Sequence, residues 1–558
     1  LATADRDQDL QLDPTPSGVV ISLGGRRLNS RDAASSFLRR FPDPLPEQAL
    51  VVVFSPLLGE GLPQLLERLP PTTVLLLVEF EQALFTLGKH RLSKFTHRGC
   101  LQFPRVSTPE EALREAQRLV EGRGLRRIVG VHATGGSRLH AGAYARLEEA
   151  LREVVQRFWS NRGTQIRLGR RWVTNLLANA CLDQTPLHDL TRSVPSSRAV
   201  LLGAGCDLEN RLEVVRTLHD RGVPLVALDT ALPALAEAGI EPALIVAMDG
   251  QLANALDLLP WRWNRVKLIA DLTVHPAIPR RFPPAQRSFF ASRFAEGSFF
   301  SSDSTSQVLE GIPLAHPRGS VAPAAMELLV RTLGVRTLLA VGIDFHYRLP
   351  RTHARLTAGD RLMRKNMTRL LRRDGNHEYV LRPRKEVLLR TGERIRGDAI
   401  LADQALQMRH ATAELQREVP GLAVLCLNDQ GLDTGARLVS AREALEQLAP
   451  DRSRPAANQA VQNQPKRTLQ PPERLDRALQ IRRAALEELL LRLRRQEEHL
   501  DFLDSGLAFV LLDLPQWPLL TTRRDWAELH RGGILRSTRD YRRRLERILS
   551  APSLRSPS

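Results

Sequence analysis

The chain has 558 residues, too many for one core, and that length predicts about three domains. Its 42% hydrophobic and 25% charged content is that of a folded globular protein, and no apolar run nears the ~18 residues of a membrane span. The net charge of +18 invites a nucleic-acid reading. Against it, only six of the 80 basic residues are lysine, and aromatics, at 5%, supply few stacking platforms. An anionic small molecule or nucleotide would profit from the same positive field.

The opening residues are polar and acidic with no apolar h-region, so no secretory signal is expected. The four cysteines, Cys100, Cys181, Cys206 and Cys426, form no CxxC pair, which argues against a disulfide scaffold and a structural zinc site. The expectation is a cytoplasmic, multidomain protein without a membrane span and without DNA as partner.

In chain order, Ala49–Phe54 reads as a buried strand, followed by a loop with Gly59 and Gly61, a short helix from Leu62 and a second strand, Val74–Val78, ending at Glu79. That order is Rossmann-like, although Pro56-Leu57-Leu58 puts bulk where a ligand would need backbone. A helix over Thr108–Glu121 and a strand at Arg127–His132 complete an α/β domain over 1–150. Leu151–Cys181 is mostly helical, with Trp172, Asn175 and Asn179 on one face.

The α/β core follows, over 151–449 with that helical lead-in. Arg198–Leu202 is a strand leading into GAGCDLEN and a helix through Val215. Three more strands end in acids: Val223–Leu228 at Asp229, Ala243–Met248 at Asp249 and Val266–Ala270 at Asp271. Thr337–Gly342 leads into Asp344. Strands separated by helices mean a parallel sheet, whose ligands bind beyond the carboxyl ends of the strands, so four acids on that rim make a candidate site. Asp229 also suits a helix cap.

Gly203 and Gly205 offer close approach to a phosphate, with Thr230 beside Asp229. Arg318-Gly319-Ser320 before a helix reads as an anion nest with one added charge. The loop after Asp344 carries His346, Arg348, Arg351 and His353, types suited to a general base and phosphate clamps. Asp249 with Asp229, Asp271 or Asp344 has the chemistry to hold Mg²⁺ on diphosphate oxygens, with Asp249 and Asp271 as the expected metal pair. No other cofactor is indicated. A long helix over Gly397–Glu418 and a strand at Leu422–Leu427 close the core. Residues 450–473 are a Pro/Gln/Asn/Arg-rich linker, and 474–558 a helical, basic extension suited to docking.

With these residues in hand, the centre resembles the MptE-like family, which includes archaeal 6-hydroxymethylpterin diphosphokinases and the core of Maf-type motility accessory factors, the flagellin glycosyltransferases. The family order of motifs reads here as GAGCDL at Gly203–Leu208, DTAL at Asp229–Leu232 and GIEPAL at Gly239–Leu244. It continues as AMD ending at Asp249, RGSV at Arg318–Val321, GID at Gly342–Asp344 and TH at Thr352–His353. WVTNLLANA resembles the helix that precedes the Maf core, and LNSRD at Leu28–Asp32 looks like a Maf N-terminal segment. The chain departs from the pattern at Cys206-Asp207, where the family has Pro-Ser, and at Ala243, where it has an acid.

The resemblance implies a Rossmann-like core, a second Rossmann-like N-terminal domain and a mostly helical C-terminal extension. It implies transfer of a CMP-activated nonulosonic acid to Ser/Thr of flagellin or a similar protein. His353 would be the base, with His346 as rival and Asp344 beside them. The glycine loop and Gly319–Ser320 would hold the CMP phosphate and donor carboxylate, and Arg348 or Arg351 would stabilise the leaving phosphate. A diphosphokinase acting on ATP and a pterin, its Mg²⁺ on Asp249, Asp271 and Asp344 and its pocket lined by Phe289–Phe290 and Phe299–Phe300, stays open beside it. So does a non-catalytic binding descendant.

Overall fold

The computed structural model describes residues 10–15, 18–92, 101–102, 108–192, 197–262, 265–292, 307–316, 318–347, 352–370, 384–427, 430–449, 472–498, 505–511, 514, 528 and 530–551. The chain divides into two compact units: Leu1–Arg167 with Leu511–Gly533, and Leu168–Val510 with Ile534–Ser558. Among the described residues no helix is long and apolar enough to cross a membrane.

The first unit opens with a small antiparallel sheet, β1 (Leu10–Thr15), β2 (Gly18–Leu23) and β3 (Arg26–Arg27). Its α/β core is a four-stranded parallel sheet in the order β6-β5-β4-β7, from β4 (Ala49–Phe54), β5 (Val74–Val78), β6 (Leu101–Gln102) and β7 (Arg127–His132). Every residue of β4 and β5 is buried, as a parallel strand covered on both faces requires. The helix Pro109–Arg123 starts at the Thr108 cap, whose hydroxyl accepts from Glu111 N, and stops at Gly124 in the left-handed conformation.

The loop after β4 carries bulky buried side chains. Leu57 and Leu58 are buried, and Ser55 donates to Glu79 Oε2 at 2.7 Å while the Tyr144 hydroxyl donates to Oε1 at 3.3 Å.

The second unit carries a nine-stranded sheet in the order β13-β12-β11-β10-β9-β8-β14-β17-β18. Its strands are β8 (Arg198–Leu202), β9 (Leu225–Leu228), β10 (Leu244–Ala247), β11 (Lys267–Asp271), β12 (Arg287–Ser292), β13 (Leu314–Ala315), β14 (Thr337–Val341), β17 (Ala423–Cys426) and β18 (Arg437–Leu438). All neighbours in it pair in parallel. Alternate strand residues, among them Leu201, Val226, Val246 and Leu338, face one core with Met326 and Leu329 of the helix Val321–Arg331 and Met408 and Leu415 of the helix Ala399–Glu418.

The sheet is doubly wound. From β8 the chain adds strands one way as far as β13, then returns to the other side of β8 with β14. Order therefore reverses between β8 and β14, where a ligand crevice forms in such sheets. The α/β class with two parallel sheets and helical C-terminal elements is as the sequence reading expects.

The hairpin of β15 (Arg384–Leu388) and β16 (Arg394–Asp398) was not expected from the sequence, and the helix expected from Gly397 begins at Ala399. At the C-terminal end, the helices Pro472–Glu498 and Arg531–Ser550 are tied by Arg539 and Arg542 on Glu497 and by Arg494 on Glu546.

Candidate active site at the strand-order switch

The carboxyl ends of β8 and β14 meet closely. Gly203 N donates to Val341 O at 2.9 Å, and Gly205 N to Gly342 O at 2.7 Å. A Cβ on Gly203 would lie 2.6 Å from Gly342 O, and one on Gly205 2.6 Å from Asp344 Cγ. The two glycines thus make room for the tail of β14, whereas the sequence reading reserved that room for a phosphate. Gly342 itself takes a positive φ of 66°, which glycine adopts without strain.

Asp344 is buried, and its Oδ2 accepts from Asp207 N at 3.2 Å. Asp207 caps nothing. Its carboxylate pairs with Arg211 Nε at 2.8 Å and accepts from Asn210 Nδ2 at 3.1 Å, so the negative charge that replaces the family's serine is neutralised within its own helix.

The histidine segment docks on the same loop. Ala354 N donates to Ala204 O at 2.9 Å, and Arg355 pairs with Glu209 at 3.7 Å. Farther along, Ala358 N donates to Asp257. His353 is therefore fixed one residue from the glycine loop. His353 is exposed, its Nδ1 lies 3.2 Å from Thr352 Oγ1, and desolvation lowers its pKa. His346 is half-buried, two residues beyond Asp344. Arg348 and Arg351 lie outside the described residues.

The other acids share this rim but differ in use. Asp271 accepts from Thr273 N at 2.7 Å, Thr273 Oγ1 at 2.6 Å and Ser292 N at 2.7 Å, so both its oxygens serve the fold and it is no metal ligand. Asp249 accepts from Gln251 N at 2.8 Å, and burial raises its pKa. Among the described residues no three His, Cys, Asp or Glu side chains are grouped to hold a metal. The hydrogen bonds on Asp271 already engage both of its oxygens, unlike the free-standing ligand expected of a metal pair with Asp249.

Asp229 stands apart. It is 2% exposed, and its Oδ1 accepts from Thr230 N at 2.9 Å and Thr230 Oγ1 at 3.3 Å, while Oδ2 is buried without a hydrogen-bond partner. Burial first, then the charge of Asp249, pushes its pKa up to about 7; Asp257, also buried, is pushed up to about 6.

Two expected site residues have structural work to do. Arg318 is buried and bound to acids, Nε to Glu327 Oε2 at 3.2 Å and Nη2 to Glu414 Oε2 at 2.8 Å. Phe289 and Phe290 are fully buried residues of β12. Phe299 and Phe300 lie outside the described residues. Gly319 and Ser320 do begin the helix Val321–Arg331 just after the carboxyl end of β13, with open space over Gly319 and no side-chain cap from Ser320.

Sequence reading took Asn175 and Asn179 as interface asparagines and missed what they hold. Asn175 Nδ2 donates to Gly250 O at 3.1 Å and Thr273 O at 2.9 Å; Asn179 Nδ2 donates to Leu272 O at 2.9 Å and Val274 O at 2.8 Å. The pair splints the rim loops that follow β10 and β11. Arg390, at the tip of the β15–β16 hairpin, was missed outright. It donates to Ile343 O at 3.1 Å and Thr434 Oγ1 at 3.0 Å, bringing a guanidinium beside the Asp344 turn. Thr391-Gly392 between alternating residues was the available hairpin signal.

Residues 172–349 match the family model described as 6-hydroxymethylpterin diphosphokinase MptE-like. Curated relatives include three uncharacterized proteins of Treponema pallidum (strain Nichols). One is 27% identical over 329 residues, 58% of this chain and 56% of the relative; another is 26% identical over 203 residues, 36% and 42%. The third is 31% identical over 87 residues, 16% and 41%. The matched stretches thus span about half the length of these relatives. Among solved structures, a Maf glycosyltransferase from Magnetospirillum magneticum AMB-1 is similar at a TM-score of 0.55 and 13% identity, over 97% of this chain and 91% of that one. At that identity the likeness is one of fold. Residues 172–349 of this chain are an MptE-like domain, carried in a fold like that of a Maf glycosyltransferase.

Proposed function

We propose that the chain is a glycosyltransferase of the Maf type, which moves a nonulosonic acid from its CMP-activated form to a Ser/Thr hydroxyl of a protein acceptor such as flagellin. One observation carries this reading: the glycine loop, Asp344 and the His353 segment converge where strand order reverses, joined by the Ala354–Ala204 hydrogen bond. The donor phosphate lies over the outer side of the Gly203–Gly205 turn, where the amino end of the helix Leu208–Asp220 favours negative charge. Gly319 and Ser320 offer a second helix start for the donor carboxylate.

In the reaction the acceptor oxygen bonds to the anomeric carbon of the sugar while the bond from that carbon to the phosphate oxygen breaks. CMP departs with the electron pair, and the hydroxyl proton passes to the imidazole of His353. The lowered pKa of His353 keeps it neutral and ready as a base near pH 7. On this reading the transfer takes place in the cytoplasm.

The test is a thermal-shift series with CMP, CTP, ATP and S-adenosylmethionine, followed by mass spectrometry of flagellin incubated with the CMP-sugar. Stabilisation by CMP together with a nonulosonic acid mass on Ser/Thr supports the reading. A response to ATP and Mg²⁺ alone, with ATP converted to AMP as its terminal diphosphate passes to the hydroxyl of a pterin, would replace it with the diphosphokinase reading that the family description favours. Silence from every nucleotide would leave a binding descendant.

A further inference from the structure

Next to the His353 segment lies an apolar surface that the chain does not cover. The helix Ala358–Lys365 buries none of its residues, although its sequence is strongly two-faced. Leu362 is 61% exposed, and Leu370, just beyond the helix, is 93% exposed, with Met367 exposed between them. The helix Leu252–Leu258 adds Leu252 and Leu256, one turn apart on one face and about half exposed. The two helices are locked together, since Ala358 N donates to Asp257 and Arg361 Nη2 donates to Leu256 O at 2.9 Å. Arg361 also covers the Trp261 ring, 5.8 Å from its centroid.

A helix this short, with nothing buried, is marginal in water and gains from a partner on its apolar face. Exposed leucines on two helices joined in this way make a candidate interaction site. The charge around them has one sign: Thr352–Leu370 holds five basic residues and one acidic. Arg355 and Arg364 are neutralised by Glu209 and Asp360, whereas Lys365 and Arg369 are exposed with no ion pair among the described residues.

We propose that this surface, Leu252 and Leu256 with Leu362, Met367 and Leu370, docks the acceptor polypeptide through a segment that alternates apolar and acidic side chains. The proposal rests on the transferase reading, because a bound chain here runs beside His353, the residue that must meet its hydroxyl. The leucines fill against apolar side chains, and Lys365 and Arg369 meet the acids and set the direction of the chain. A lipid surface or a second copy of the chain are the competing occupants.

The experiment uses the full chain and fluorescein-labelled peptides of equal length, one of leucine, serine and glutamate and one with lysine in place of glutamate. Fluorescence anisotropy should show the acidic peptide binding and the basic one not. Leu362→Asp with Leu370→Asp, and separately Leu256→Asp, should each weaken binding roughly tenfold or more. Because these side chains are exposed, the melting temperature should hold. Equal binding by wild type and variants, or by both peptides, overturns the proposal. So does loss of sedimentation with phosphatidylserine vesicles without any peptide effect, or a mass by light scattering that halves in the variants. The CMP thermal shift is read in the same samples: its absence with peptide binding intact sinks the transferase reading alone, and its presence with peptide binding unaffected by the variants sinks the docking surface alone.

Discussion

Gly205 and Asp344 face each other across the β8–β14 seam so closely that the glycine's missing side chain is occupied by the aspartate's carboxylate. The same carboxylate accepts from Asp207 N, so one buried acid closes both the turn and the start of the next helix. Adding a methyl group here must displace Asp344 or open the seam. Gly205→Ala should therefore cost about 3 kcal/mol, the scale of overpacking a tight interior. Gly319→Ala meets open space and should cost about 1–2 kcal/mol, the strain of its positive φ. Denaturant unfolding of the two variants checks the order; equal costs would mean that the seam is not packed as described.

Asp229 makes stability depend on pH in a direction opposite to that of a salt-bridged acid. Its folded pKa, about 7, lies above the ordinary 3.8, so between pH 4 and 7 the folded state holds a proton that the unfolded state has released. That contribution is fully present below pH 4 and is lost as pH rises through 7. Asp229→Asn should flatten this decline by an amount on the order of 2–4 kcal/mol. Unfolding measured at several pH values between 4 and 8 reads the difference, and a decline identical to the parent's would refute it. Asp257, pushed up to about 6, adds a weaker decline of the same sign that survives in the variant.

How much of this could be read from sequence depended on where each partner sits. Ala49–Phe54, Val74–Val78, Arg127–His132 and Arg198–Leu202 were legible to the residue, because short Val/Leu runs between polar or turn residues leave little choice of boundary. The small strands β1 and β15 are mostly exposed, so no buried stripe announces them. The rim of acids was legible as a set, since a strand ending in Asp is a local pattern. Which acid was spoken for was not: Asp271 is used by Ser292, 21 residues away. Arg318 looked like an anion clamp because Glu414, 96 residues farther on, gives no local sign of its pull.

The two asparagines of the Trp172 helix each hold two main-chain carbonyls that have no other route to a donor in a buried place. Asn175→Ala or Asn179→Ala should each lose about 2–3 kcal/mol, as buried acceptors are left unsatisfied. The losses should fall short of adding in the double variant, because one splint already loosened makes the second worth less. Thermal or denaturant unfolding of the three variants gives the answer, and strict additivity would show that the loops are held independently.

Arg318 and His353 make the sharpest contrast between a residue that holds the fold and the one proposed as the base. Arg318→Ala leaves Glu327 buried with one cation fewer and should lower stability by about 3 kcal/mol, with little change on adding salt. His353 is exposed and makes a polar contact with the neighbouring Thr352, so His353→Asn should leave the melting temperature within about a degree. If it is the base, the same change should lower kcat for sugar transfer by about 10²–10⁴, with CMP binding intact. Activity of the parent should fall below the pKa of His353, as the imidazole gains its proton and can no longer accept one. A variant that keeps full activity would pass the role to His346, two residues beyond Asp344 and half-buried on the same rim.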